Sequence, residues 1–360
     1  MFRLFREKYM NIPVASRNLT GRTAIVTGAN AGLGFETSLA LLRMKPKRLI
    51  LAVRSLEKGK EAAEKLRSLV SETTTAIDVW NLELDSFASV KEFAAKANVQ
   101  LDRLDILENA GVWPGDKLLT KDGWELTLQV NVIQTGITSS TAGLALSLLG
   151  KMQETSTLPI PPGGVSFRPH LTIVTSDLHS AAKFKEQNEP EILKSVNEKD
   201  FTFLESYQRS KLLDILFARE LGKRPEAEGI TVSAPNPGFS RTELGRYATG
   251  GFKLAFGLFA SIVAKPAEAG ARNIVWGAVE DFESGSYVHT CKIQEGLSTF
   301  VASPEGIKAQ EKVFRELMMI LRAEGFQLSN IPDDLKAGQT LPPSAKVGQK
   351  KELALEGVNS

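Results

Sequence analysis

Short runs of β-branched and apolar residues recur along this chain, each bounded by glycine, proline or polar residues. Most are followed by a longer stretch with apolar positions three and four apart, the spacing of a helix face. The first run, Thr23-Ala-Ile-Val-Thr27, is apolar enough for a parallel strand buried on both faces. It leads into Gly28-Ala-Asn30-Ala-Gly32-Leu33-Gly34 and then into residues 35–43, which read as a helix. A second strand is expected at 48–53, before a solvated helix running to about Val70. Further strands are predicted at 75–84, 104–107, 171–176 and 230–234, and helices at 124–133 and 304–324. Asp85-Ser86 supplies a capping start for the helix after the third strand. Strands alternating with helices place the chain in the α/β class.

Composition narrows the function. A length of 360 residues holds one large α/β domain or two smaller ones, with room for a sizeable core. A net charge of +2 without a basic stripe excludes a nucleic-acid footprint. The single cysteine, Cys291, rules out an intramolecular disulfide or a multi-cysteine metal site and fits a reducing compartment such as the cytoplasm. His170, His179 and His289 lack ligand spacing and read as surface or core histidines. No uncharged apolar run reaches the roughly 18 residues of a membrane span. The N-terminal Met1-Phe-Arg-Leu-Phe-Arg-Glu-Lys lacks the apolar centre of a secretory signal; a presequence competes with a plain extension.

Strand, glycine turn and helix in succession form the context of a dinucleotide fingerprint, here spaced Gly-x3-Gly-x-Gly. Gly28 permits the tight turn, Gly32 lets backbone approach a pyrophosphate, and Gly34 lets helix pack on strand. At the end of the second strand no acid stands ready to grip a ribose 2′-hydroxyl, whereas Arg54 lies just beyond it. A guanidinium suits a 2′-phosphate, so NADP is favoured over NAD; alternatively Arg54 only opens a solvated helix. Asn109-Ala-Gly111 follows the fourth strand, its small residues letting backbone lie against a flat group. Asn131, in an apolar helical stretch, needs a partner, catalytic or merely structural. Ser176 ends the fifth strand, at the sheet edge where ligands bind, or simply forms a turn. Tyr207 and Lys211, four apart, share a helix face. If not just solvated, they set an ammonium beside a phenol and should lower its pKa from about 10.

In chain order, Thr27-Gly28-x3-Gly32-x-Gly34, Asn109-Ala-Gly111, Asn131, Ser176, Tyr207-x3-Lys211 and Pro237-Gly238 with Thr242 resemble the short-chain dehydrogenase/reductase family, across roughly residues 20 to 325. Local wording is similar to the retinol-dehydrogenase-like and fungal secondary-metabolism branches. The resemblance implies a Rossmann-like doubly wound parallel sheet in a single domain, 21–330. An N-terminal extension would occupy 1–20, a substrate lid would lie near 239–264, and a polar tail, 331–360, would be disordered. It also implies an NADP(H)-dependent oxidoreductase acting on a ketone, aldehyde or alcohol of a small apolar molecule. Tyr207 would be the acid or base, Lys211 would tune it and hold the nicotinamide ribose, Ser176 would bond the carbonyl oxygen, and Asn131 would position a relay water. Cofactor contacts would come from Gly28, Asn30, Gly32, Leu33, Gly34, Arg54, Glu83, Asn109, Tyr207, Lys211 and Thr242. Two residues depart from the family pattern: Glu108, where asparagine is usual, and Glu83, where a strand-ending aspartate is common.

The polar segment 180–204 is expected at the rim of the substrate pocket. The apolar segment 251–264 reads as a lid or as a packing or homo-oligomer contact, Trp113-Pro114 as an aromatic wall, and 161–164 as a surface insertion. Two other functions compete: a catalytically idle NADP-binding interaction or sensor protein, and an epimerase or dehydratase. The intact Ser176, Tyr207 and Lys211 speak against the first, the glycine spacing and the lack of a large C-terminal domain against the second.

Overall fold

β1 (Thr23–Thr27) is buried along its whole length and pairs in parallel with β2 (Arg48–Val53) on one side and β4 (Ile106–Asn109) on the other. Around it a computed structural model, which describes residues 7–109, 117–134, 142–198, 202–241, 260–328 and 331, builds one eight-stranded sheet. Its order is β3 (Ala76–Asn81), β2, β1, β4, β5 (His170–Ile173), β6 (Thr231–Asn236), β7 (Ser286–His289) and β8 (Lys292–Ile293). Every pair is parallel except β7 with β8. The chain winds outward both ways from β1, the doubly wound Rossmann-like arrangement expected.

Helices cover both faces. On one, α1 (Gly32–Arg43) and α2 (Leu56–Leu69) bury Leu39, Leu42 and Leu66 against β1 and β2. On the other, α3 (Phe87–Gln100), α4 (Ala142–Thr157) and α6 (Phe203–Leu221) close a larger core. α7 (Ala267–Val279) joins the first layer, and α8 (Pro304–Ala323) lies outside α6, where Phe217 and Phe314 stack. The insertion at 180–204 holds a short helix, α5 (Ile192–Glu198), whose Ile192 and Leu193 amides donate to Glu316 of α8 at 2.6 and 2.7 Å. That carboxylate caps an otherwise open helix start and ties the insertion to the body.

Several boundaries differ from the sequence reading for identifiable reasons. β4 begins at Ile106, because Asp105 is held by Arg22 and Arg103 and by the Thr23 amide. The helix expected at 124–133 is α-helical only over Leu126–Leu128, since the Glu125 carboxylate accepts from the Thr127 and Leu128 amides and caps it there. Residues Gln129–Gln134 continue as a π-helix, the widened turn often found at functional sites. Within the 1–20 extension, Ile12, Ala15 and Leu19 are buried, and the Ile12 carbonyl accepts from Arg272. No described helix is long and apolar enough to cross a membrane, and no cluster of metal-ligating side chains occurs among the described residues.

Candidate active site

The glycine turn is built as its spacing predicts. Gly28 and Gly32 adopt positive φ, 60° and 54°. A Cβ on Gly34 would lie 2.6 Å from the Gly28 carbonyl oxygen, so helix and strand touch at that point. Ala31 precedes α1 without a side-chain cap, and no acid occupies the first turn. The open amides there suit an anion. Asn30 lies half-buried in the turn, and the Leu33 side chain packs inward on Val174, Ala271 and Ile274.

Close packing at Gly34 makes a direct test. In a helix, glycine to alanine ordinarily stabilises by up to about 1 kcal/mol. Here the methyl would push against backbone, which cannot rotate away, and overpacking costs about 1–3 kcal/mol. Gly34→Ala is therefore expected to lower the urea midpoint; a variant as stable as the parent would show that the turn is loose.

Ser176, Tyr207, Lys211 and Asn131 come together on one side of the sheet. Ser176 lies three residues past β5 and caps a short 3₁₀ turn, Asp177–Ala181, its hydroxyl accepting from the Leu178 amide. The Tyr207 phenol, on α6, is buried and hydrogen-bonds the Ser176 side chain. Lys211, one turn further on, is fully buried and donates to the Val174 carbonyl and to Asp214, both at 3.2 Å. Its ammonium stands 5.5 Å from the centre of the Tyr207 ring. Asn131, in the π-helix, donates to Ser210 at 2.8 Å, and Ser210 in turn bonds the Tyr207 carbonyl. The unwound turn thus aims the asparagine at α6 rather than along its own axis.

One electrostatic expectation is reversed. Burial, with the charges of Asp177 and Asp214, pushes the Tyr207 phenol above its ordinary value, against the lowering hydrogen bond from Ser176. Burial also lowers Lys211, and Asp214 partly restores it. The ammonium shares its charge with a carboxylate, a partner absent from the sequence argument.

Around the turn, Asn109 is fully buried with neither side-chain atom hydrogen-bonded among the described residues. Such an orphaned amide at a strand end fits a group docked above it. Beside it, desolvation raises the buried carboxyl of Glu108 to about 8, partly offset by the Thr27 amide. Arg54 is exposed just past β2, its carbonyl accepting from Asn81, and Glu83 is half-buried beyond β3. Thr242, Ala110-Gly111, Trp113-Pro114, the lid segment 251–259 and the tail after 331 lie outside the described residues.

Other residues of the site escaped the sequence reading. Asn236 orients the Pro237-Gly238 turn by accepting from the Gly238 amide at 2.8 Å, while its own amide donates to Tyr287 and His289. His289 contacts Glu7 at 3.4 Å, bringing the N-terminal extension behind this turn. His179 accepts from the Ser298 amide at Nε2, so its proton sits on Nδ1 and is donated to the Ser176 carbonyl. His170 and His179 are buried in the core, where His179 is satisfied at both nitrogens and His170 sets both of its nitrogens against the carbonyls of Arg168 and Glu280.

Comparison with known proteins agrees with this geometry. The short chain dehydrogenase family model matches residues 22–153. The short chain dehydrogenase/reductase dmxR8 of Cryptosporiopsis sp. is 32% identical over 330 residues, covering 89% of this chain and 96% of its own. The short chain dehydrogenase/reductase mfmJ of Annulohypoxylon moriforme is 36% identical over 323 residues, covering 87% and 88%. A Shigella flexneri 2a protein described as a short chain dehydrogenase and complexed with NADP shares the fold, with a TM-score of 0.50, 18% identity, and coverage of 76% and 98%. A doubly wound sheet with a glycine turn at its edge is the architecture of a dinucleotide-binding protein. The chain belongs to the short-chain dehydrogenase/reductase family.

Proposed function

We propose that this protein is an NADP(H)-dependent oxidoreductase that interconverts a ketone or aldehyde and an alcohol on a small apolar molecule, acting in the cytoplasm within secondary-metabolite biosynthesis. The observation that carries this reading is the bonded pair of Tyr207 phenol and Ser176 hydroxyl, one helical turn from a buried Lys211. When bound, nicotinamide supplies or accepts the hydride, and the protein supplies geometry and charge. Tyr207 donates a proton to the substrate oxygen in reduction and removes it in oxidation. The Ser176 hydroxyl donates to the same oxygen, where charge develops. Lys211 holds the ribose of the cofactor and Asn131 orients the proton path behind it. The glycine turn and Asn109 form the cofactor's cradle, with the Pro237-Gly238 turn at its nicotinamide end.

The choice of NADP rests on Arg54 at the end of β2 and on the lack of an acid there. Arg54→Asp is expected to turn the preference towards NADH; an unchanged NADPH/NADH ratio would remove Arg54 from the site. The whole reading is tested by following NADPH absorbance with a panel of apolar ketones and aldehydes. If tight NADPH binding accompanied no turnover of any of them, the idle sensor would take precedence.

A further inference from the structure

Three polar side chains follow one another down a single stripe of α6. Tyr207, Lys211 and Asp214 stand at i, i+4 and i+7, within about 60° of one another around the helix axis. Asp214 interrupts an apolar run, Leu212-Leu213-Asp214-Ile215-Leu216, and is itself fully buried. Its Oδ2 lies 3.2 Å from the Lys211 ammonium, and both side chains are shut off from solvent. An aspartate at such a place is costly unless it answers a charge.

We propose that Asp214 is a positioning residue of this site: its carboxylate fixes the Lys211 ammonium one turn below Tyr207 and cancels its charge, keeping Tyr207 in the protonated, proton-donating form. The inference rests on the oxidoreductase reading given above and specifies the state in which its acid is stored. An isolated ammonium in a dry interior would stabilise a neighbouring phenolate strongly, because the field is little screened there. A carboxylate at hydrogen-bond distance removes most of that field at Tyr207, while the ammonium also donates to Val174. Among the described residues, other charged groups near this stripe do not substitute for it. Asp177 adds further negative charge near the phenol, Glu186 is paired with Arg209, and His179 is neutral in its bonds to Ser176 and Ser298. Asn131 and Ser210 approach α6 without charge.

Asp214→Asn keeps the shape and removes the charge, and the remaining contacts of Lys211 with Val174 and the Tyr207 ring help to retain its proton. The test needs no substrate: the ultraviolet signal of tyrosinate is titrated in the cofactor-free protein and in Tyr207→Phe, and the difference isolates Tyr207. In the Asp214→Asn background the same difference is expected to appear at a pH lower by about one unit or more. An unmoved titration would overturn the proposal, as would ionisation of Tyr207 in the unaltered protein below the value of about 10 for a free phenol, a measurement that stands even if Asp214→Asn fails to fold. Where a carbonyl–alcohol pair is turned over, the pH limbs of kcat/KM for reduction and oxidation should move down together in Asp214→Asn; a merely structural role would lower rates without moving them. Absence of turnover by the unaltered protein would defeat the oxidoreductase reading instead, whereas the tyrosinate titration would still report on Asp214, so the two failures are distinguishable.

Discussion

Tyr207→Phe is expected to lower kcat by about 10²–10⁴-fold, the range supplied by one positioned general acid, while NADPH binds within a few-fold of the parent. The ring is buried and would keep its packing, so the loss is confined to one hydroxyl. Ser176 retains the Leu178 amide and lies 3.4 Å from Asp177, which limits collapse of the turn that presents it. A lost buried hydrogen bond costs about 1 kcal/mol of stability, too little to unfold a domain of this size. Stopped-flow turnover and quenching of protein fluorescence by NADPH separate chemistry from binding. Turnover within tenfold of the parent would assign the proton to another group, and loss of binding would make Tyr207 a structural residue of the cofactor site. The first result would withdraw the mechanism; the second would leave the fold and family untouched.

The parts of this protein that could be read from sequence are those where one local pattern has one physical outcome. Buried parallel strands must be nearly continuous apolar runs, so β1 and β2 fall where expected to the residue. The glycine turn is equally legible, since Gly28 and Gly32 at positive φ and Gly34 against backbone are requirements few other residues meet. α4 gives no such signal: Ala142, Leu144, Ala145, Leu146, Leu148, Leu149 and Met152 are all buried, so no polar face marks a helical period. β7 is only four residues, Ser-Tyr-Val-His, and owes its strand form to pairing with β6. The π-turn at Asn131 arises from tertiary contact with Ser210, which no local propensity encodes. Spacing placed the phenol and the ammonium correctly but not their depth of burial, and depth reverses the expected direction for Tyr207. Asp214 did carry a signal: an acid seven residues after a tyrosine falls on the same stripe, and it sat inside an apolar run.

Glu108 carries the other large expectation. It pairs with Val26 of β1 and Thr172 of β5 in register, is fully buried, and is held by desolvation near a pKa of about 8 against an ordinary value of 4.5. Up to about that pH the carboxyl is neutral in the fold, so it places no negative charge on the strand beside β1. Below 4.5 both the folded and the unfolded chain hold this proton, and the group costs nothing by linkage. As pH rises through that value the unfolded chain releases it and the folded chain keeps it. Each further unit then favours unfolding by on the order of 1.4 kcal/mol, until the folded carboxyl also ionises. Glu108→Gln has no proton to lose. Between pH 5 and pH 8 its stability relative to the parent should grow by on the order of 4 kcal/mol in urea unfolding of the cofactor-free protein. Two unfolding series that stay parallel over this range would mean that Glu108 is ionised in the fold, and NADPH affinity would then have to tolerate a fixed negative charge on the strand beside β1. With the carboxyl neutral, affinity should instead fall above pH 8 in the parent and stay level in Glu108→Gln. The departure from asparagine at this position is thus a proton carried in the strand, and its cost to stability accrues while the folded carboxyl keeps a proton that the unfolded chain has released.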